Sequence, residues 1–176
     1  MTAERSKVSI EGSDSPSSSA RLLVEGPDAL NECIERLFLA CRGFLIVRAP
    51  RLDLDFYFSE VFTECCRSII VRDLRNELRF LVEDEAHIMK ANTRLVSLAR
   101  QFSSYVKVRV AREEYVEHRE MFVVCDSVAY LHQPNAEVPK AFMNTSDRAA
   151  ARRLGLQFKD LWDRSASPEE LFTMGL

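Results

Sequence analysis

Residues 116–131 read Val116-Glu117-His118-Arg119-Glu120-Met121-Phe122-Val123-Val124-Cys125-Asp126-Ser127-Val128-Ala129-Tyr130-Leu131. Two strand-like runs, 116–124 and 128–131, flank Cys125-Asp126-Ser127. A connection that short permits only an antiparallel hairpin. Upstream the pattern differs. Phe44-Leu45-Ile46-Val47, Leu78 to Val82 and Tyr105 to Val110 are short apolar runs of the kind buried on both faces of a sheet. Each follows a segment of helical period. Leu30, Cys33, Ile34, Leu37, Phe38 and Cys41 form one stripe over 28–42, with Asp28 as a cap and Gly43 as the stop. Val61, Phe62, Cys65 and Ile69 form a second after Ser59, and Leu95, Leu98, Ala99 and Phe102 a third after Thr93. Alternation of this kind implies parallel strands joined by crossover helices. The expected fold class is therefore α/β, a mixed sheet of parallel βα units followed by an antiparallel hairpin, flanked by helices.

Beyond the hairpin, a polar stretch holds Pro134 and Pro139. A last helix is expected from near Ser146, carrying Leu154, Phe158, Leu161 and Trp162, with a short helix after Pro168. Residues 1–20 are serine-rich and poor in large apolar groups, which predicts a disordered tail. Residues 21–176 are expected to form a single domain. The net charge of −3 brings no global attraction to nucleic acid or anionic membrane. No apolar run nears the length of a membrane span, and the N-terminus has no apolar core of a secretory signal, so a cytoplasmic protein is expected. Cys33, Cys41, Cys65, Cys66 and Cys125 are odd in number and lack zinc-ligand spacing, which suits reduced, buried thiols.

The segment His118 to Asp126, placed after three βα units, resembles the histidine–lysine–aspartate motif of the phospholipase D superfamily. The likeness extends to FLIVRAP (44–50) with its following helix, to CRSIIVRDLRNELRFLVED (66–84), to VAYLHQPN (128–135) as the return strand and to LQFKDLWDRS (156–165) as the closing helix. It covers roughly residues 30–165. A narrower likeness, carried by TRLVSLARQFSSYVKVRV (93–110) and FKDLW (158–162), is to a bacterial family of single phospholipase D-like domains. These domains occur alone or beside an acetyltransferase domain, and no acetyltransferase motif is present in this chain. The superfamily resemblance implies that His118 would attack phosphorus, that position 120 would neutralise phosphate oxygens, and that two motifs would complete a site. Residues two apart on a strand face the same way, so His118 and position 120 would share a pocket. Position 120 is Glu120, a carboxylate where charge complementarity to phosphate is needed. The motif's aspartate position falls on Cys125, and Asp126 is one residue late. No second motif exists in the chain. His118, Glu120 and Asp126 therefore read as a vestigial motif with no catalytic residue.

Loops at the carboxyl ends of parallel strands usually hold ligands. Arg48, His87, Lys90, Arg112 and His118 all have that address and could line one polar pocket, although each is individually as well read as a solvated loop residue. Glu83, Asp84 and Glu85 beside His87 raise a metal site, but adjacent carboxylates on a loop are more often solvated, so neither metal nor cofactor is expected. Arg148, Arg152 and Arg153, with Arg72, Arg75 and Arg79, could form a basic patch, against which Asp147, Asp160 and Asp163 are interspersed. The expected function is a non-catalytic phospholipase D-like domain binding a protein partner or an anionic ligand at the strand-end pocket. One alternative is a divergent homodimeric phosphodiesterase or nuclease using His118, and a second is a nucleic-acid-binding module.

Overall fold

A computed structural model of the protein describes residues 7–11, 20–112 and 119–168. Its centre is an eight-stranded sheet in the order β1 (Lys7–Glu11), β2 (Arg21–Glu25), β8 (Lys140–Asn144), β7 (Ala129–Gln133), β6 (Met121–Cys125), β3 (Phe44–Arg48), β4 (Glu77–Val82) and β5 (Val106–Val110). β3 (Phe44–Arg48), β4 (Glu77–Val82) and β5 (Val106–Val110) run parallel. β6 (Met121–Cys125) lies antiparallel to β3 and forms the hairpin with β7 (Ala129–Gln133). The parallel-then-hairpin order read from the sequence is present, and all five of its strands fall where the apolar runs placed them. Of the run 116–124, the strand begins at Met121, Arg119 and Glu120 precede it outside the strand, and 113–118 lie outside the described residues.

The sheet is wider than the sequence suggested. β8 (Lys140–Asn144) follows Pro139 and pairs with β7, and β2 (Arg21–Glu25) pairs with β8. β1 (Lys7–Glu11) pairs with β2 inside the stretch expected to be a disordered tail. In Lys7-Val8-Ser9-Ile10-Glu11 the apolar residues alternate with polar ones, the strand period. Five residues is too short for that alternation to stand out beside the serine-rich run that follows.

Helices α1 (Pro27–Ala40), α2 (Glu60–Arg72) and α4 (Thr93–Gln101) bury their stripes on one face of the sheet, where Leu37, Phe38, Phe62, Cys66, Leu95 and Phe80 meet. Phe38, Phe56, Tyr57 and Phe62 interlock edge to face at centroid separations of 4.9–6.3 Å. On the other face lies α5 (Arg148–Asp163), packing Ala151, Leu154, Phe158 and Trp162 on Ile46, Phe122 and Val124. Ser59 caps α2 as expected, accepting from the Phe62 N–H at 3.1 Å. Elsewhere the caps differ. α1 starts from Gly26 at φ 95, with Asp28 in its first turn, and α4 is capped by Asn92 rather than Thr93. The segment taken for a loop at 83–90 contains α3 (Glu85–Ala91), whose first turn is held by the Asp84 carboxylate accepting from the His87 N–H at 2.8 Å. Residues 169–176, where a final short helix was expected, lie outside the described residues. The chain's last described turn bonds Ala166 to Val110 in both directions, at 2.8 and 3.0 Å, on the open edge of β5.

The hairpin turn explains Asp126. Asp126 and Ser127 both have positive φ, 51 and 55, the left-handed pair that a tight hairpin requires and that Asp tolerates. The Asp126 carboxylate accepts from the N–H groups of Arg42, Gly43 and Phe44 at 2.8, 2.9 and 2.9 Å, so it closes the α1–β3 connection. A Cβ on Gly43 would meet Asn76 Oδ1 at 3.0 Å, which accounts for glycine there. Asp126→Ala leaves three N–H groups without their acceptor and is expected to cost about 2–4 kcal/mol, with Asp126→Asn losing less than half as much. Urea unfolding of the two variants checks this, and equal losses would mean that the turn conformation rather than the carboxylate matters.

Candidate functional site

The carboxyl ends of β3 and β4 and the start of β6 meet at one rim. Phe122 pairs with Arg48 across β3–β6 and with His132 across β6–β7. Residues paired or two apart on neighbouring strands share a face. The register therefore gathers Arg48, Glu120 and His132 on the side of the sheet that carries α5. Arg48 is 2% exposed. Its Nη2 lies 3.3 Å from Glu83 Oε1, and its Nη1 donates to the Glu120 carbonyl and lies 3.9 Å from Glu120 Oε1. Glu120, 8% exposed, has both carboxylate oxygens engaged: Oε2 with His132 Nε2 at 2.7 Å, and Oε1 accepting from the Gln157 side-chain amide of α5.

The electrostatics follow from this packing. Burial is the largest influence on Glu120 and pushes its pKa up, but the His132 hydrogen bond, then the Arg48 charge, then Gln157 outweigh it and hold it below the usual glutamate range. Burial raises Glu83, with Arg48 and Arg119 opposing. Burial likewise lowers Arg48, opposed by Glu120 and then Glu83. A buried cation is tolerated because two carboxylates and a carbonyl surround it.

On the opposite, α1-facing side of the rim opens a cleft of 1080 Å³. Its apolar lining includes Pro27, Leu30, Leu54, Met121 and Pro139. Its charged lining is Asp53, Glu83, Asp84, Glu85 and Glu137 against Arg51 and Arg119. Both arginines already face carboxylates of the cleft, Arg51 at 2.8 Å from Asp84 and Arg119 at 3.6 Å from Glu137. The cleft is acidic.

The candidates named from the sequence do not line it together. Arg48 is sunk behind Glu83. His87 Nε2 sits 2.5 Å from Asp53 Oδ1. Lys90 lines a separate groove of 700 Å³ with Met89, Thr93, Val96, Ser97, Arg100 and Gln101. Arg112 is exposed just beyond β5. His118 lies outside the described residues. Asp126 lies at the far end of β6 from Glu120, about 20 Å along the strand at the usual rise, so it is a turn residue and not a member of the rim. Glu83, Asp84 and His87 each serve a different partner, Arg48, Arg51 with the α3 N-terminus, and Asp53. Sequence reasoning missed His132 and Gln157. The signal for His132 was present in VAYLHQPN, but only the β6–β7 register sets it beside Glu120. Nothing local marks Gln157, which reaches the site from a helix in the last quarter of the chain.

An eight-stranded mixed sheet with helices on both faces and a motif strand beginning at this rim is a phospholipase D-like fold, and solved structures agree. The chain is similar to Nuc from Salmonella typhimurium, a phospholipase D family member, at 11% identity and TM-score 0.56, over 93% of this chain and 97% of that one. It is similar to NucT from Helicobacter pylori at 9% identity and TM-score 0.58, over 84% and 98%. It is also similar to TrmBL2, an archaeal chromatin protein with a novel mode of DNA binding, at 7% identity and TM-score 0.61, over 84% of this chain and 53% of that one, so it spans about half of TrmBL2. Identities this low establish the fold alone. No curated protein matches the sequence. Within that fold the chain belongs to the family described as a domain of unknown function (DUF7931), whose model matches residues 26–174.

Placing a lysine at 120 sets a second cation against Arg48 in a nearly dry site and strips His132 and Gln157 of their acceptor. Glu120→Lys is therefore expected to destabilise the fold by at least about 3 kcal/mol in denaturant unfolding, rather than to restore a phosphate site. The pH dependence has a definite sign. A carboxyl held below its unfolded pKa contributes stability that is present above the unfolded value and lost as pH falls through the folded one. Glu120→Gln should flatten the loss of stability below about pH 4.5, read from melting temperature against pH. An unchanged acid limb would mean that Glu120 is not held in this network.

Proposed function

We propose that this chain is a non-catalytic phospholipase D-like domain that binds a protein partner through the acidic cleft at its strand ends. The observation that carries the reading is Glu120. It stands where the resembling motif has the lysine that neutralises phosphate, and it is committed to His132, Gln157 and Arg48. Phosphoryl transfer depends on positive charge around the equatorial oxygens. Here the one buried cation among the described residues, Arg48, is enclosed by its own carboxylates, and the neighbouring cleft carries five acids against two engaged arginines. A homodimer would double the same arrangement. The cleft's charge also favours a partner presenting lysine or arginine over the anionic ligand that the sequence left open. An apolar lining set among acidic residues suits such side chains, whose aliphatic stems pack while their heads stay polar. Five buried free cysteines suit a reducing, cytoplasmic setting. Among the described residues no helix is long and apolar enough to cross a membrane.

The deciding experiment has two arms. Hydrolysis of bis(p-nitrophenyl) phosphate and of single-stranded DNA by the wild-type chain should not exceed that of His118→Ala. Binding of a fluorescent lysine- and leucine-rich peptide, followed by anisotropy, should weaken about tenfold or more, roughly 1.4 kcal/mol or above, when Asp53 and Glu137 are both changed to lysine. Turnover abolished by His118→Ala would replace this reading with the phosphodiesterase one, and peptide binding indifferent to the two cleft substitutions would remove the cleft from it.

A further inference from the structure

The interspersed acids that made the α5 arginines look like an ordinary mixed surface are spatially and chemically accounted for. Asp147 turns its carboxylate onto the helix start, accepting from the Ala150 N–H at 2.9 Å. Asp160 pairs with Arg164 at 2.9 Å and Asp163 with Lys159 at 2.5 Å, both in the last turns. The first half of α5 is left with Arg148, Arg152 and Arg153, all exposed and none in an ion pair among the described residues. Arg72, Arg75 and Arg79 do not extend this set. Arg72 donates to the Cys41 carbonyl, Arg75 pairs with Asp73, and Arg79 pairs with Glu77 beside Trp162 at the other end of α5.

A fourth cation does extend it. Arg21 opens β2, is exposed, and lies 3.7 Å over the Phe142 ring of β8, the strand that leads into α5. In the β1–β2 register it stands opposite Glu11. Phe142 pairs with His132 across β7–β8, on the side of the sheet that carries α5, so Arg21 lies on that side too. Burial raises the Tyr130 pKa, with Arg21 opposing, Asp147 reinforcing and Arg153 opposing less. Arg148 and Arg152 lie one turn apart on one face, about 6 Å along the axis.

We infer that this arginine surface, at the end of the sheet away from the Glu120 rim, is a binding site for the phosphate backbone of nucleic acid. Arginine presents a planar fork of donors that matches phosphate oxygens bidentately, and all four cations of the patch are arginines. A membrane surface is disfavoured because the apolar stripe of α5 (Ala151, Leu154, Phe158, Trp162) is buried against the sheet and cannot enter lipid. An acidic protein is disfavoured because such interfaces draw their affinity from apolar anchors, and Leu156 is the one large apolar side chain that the described part of α5 exposes. Contacts from these guanidiniums to phosphate carry no sequence information, so the binding proposed is sequence-independent and salt-sensitive.

The test is fluorescence anisotropy with a labelled DNA duplex of about 20 base pairs at several salt concentrations from about 50 mM upward. The full chain is compared with an Arg148→Gln/Arg152→Gln/Arg153→Gln variant and with Arg36→Gln/Arg67→Gln, which removes surface charge elsewhere. Equal melting temperatures establish that the variants are folded, since glutamine and arginine have similar helix propensities. The wild type should bind. The triple variant should bind at least about tenfold more weakly at the lowest salt, with its log Kd against log salt slope reduced by about 2–3, and the control should match wild type. Absence of binding by the wild type, equal weakening in the control, an unchanged slope in the triple variant, or equally tight binding of polyglutamate would each overturn the inference.

Discussion

Arg48 is a guanidinium withdrawn from water at the end of β3, an interior strand, and the surrounding rim is arranged to make that tolerable. An unpaired buried charge would cost several kcal/mol. The chain meets the requirement from three directions: a carboxylate just past β4, a carbonyl and a carboxylate at the entry to β6, and, through that carboxylate, a histidine on β7 and an amide on α5. One cation thereby fixes how β3, β4, β6 and α5 come together at the carboxyl ends of β3 and β4. The same commitment accounts for the electrostatic character of the rim. Glu120 is held ionised because its partners outweigh its burial, and its negative charge is directed inward.

The motif strand therefore has two ends with unlike tasks. At one end Glu120 anchors a buried polar network. At the other Asp126 ties down the loop between α1 and β3 and adopts the left-handed backbone that lets β6 turn back into β7. In the sequence the two carboxylates are six residues apart and look like displaced members of one catalytic set. In three dimensions they never meet, and each has a complete structural explanation of its own. Of the motif-like positions that are described, Glu120 and Asp126 each hold a different part of the fold.

The parallel strands, the hairpin and the three crossover stripes were legible because each is a run of apolar residues long enough for its period to register. What escaped was masked by its neighbours or non-local. β1, β2 and β8 are no shorter than β3 or β5, but each adjoins a serine-rich or proline-bearing stretch that masks its period, and α3 was concealed among charged residues that looked like a loop. For the rim, the sequence identified Arg48 and Glu120 by their positions after a strand and within a motif. His132 and Gln157 depend on register and on the path of α5, which no local pattern encodes. The expectation that Arg48, His87, Lys90, Arg112 and His118 share a pocket treated a common address at strand ends as a common direction. Arg48 points into the sheet's α5 side, His87 toward Asp53, and Lys90 into another groove.

The double hydrogen bond between Ala166 and Val110 has a bearing on solubility. A sheet of eight strands has two open edges, and an exposed run of unpaired amides beside valines is a template for adding strands from other molecules. β5 is such an edge, with Val106, Val108 and Val110 along it. By laying the residues after α5 across Val110, the chain covers the far end of that edge with its own backbone. Lys107 and Arg109 place charge along the remainder, which discourages the flat, repetitive stacking that edge strands otherwise invite.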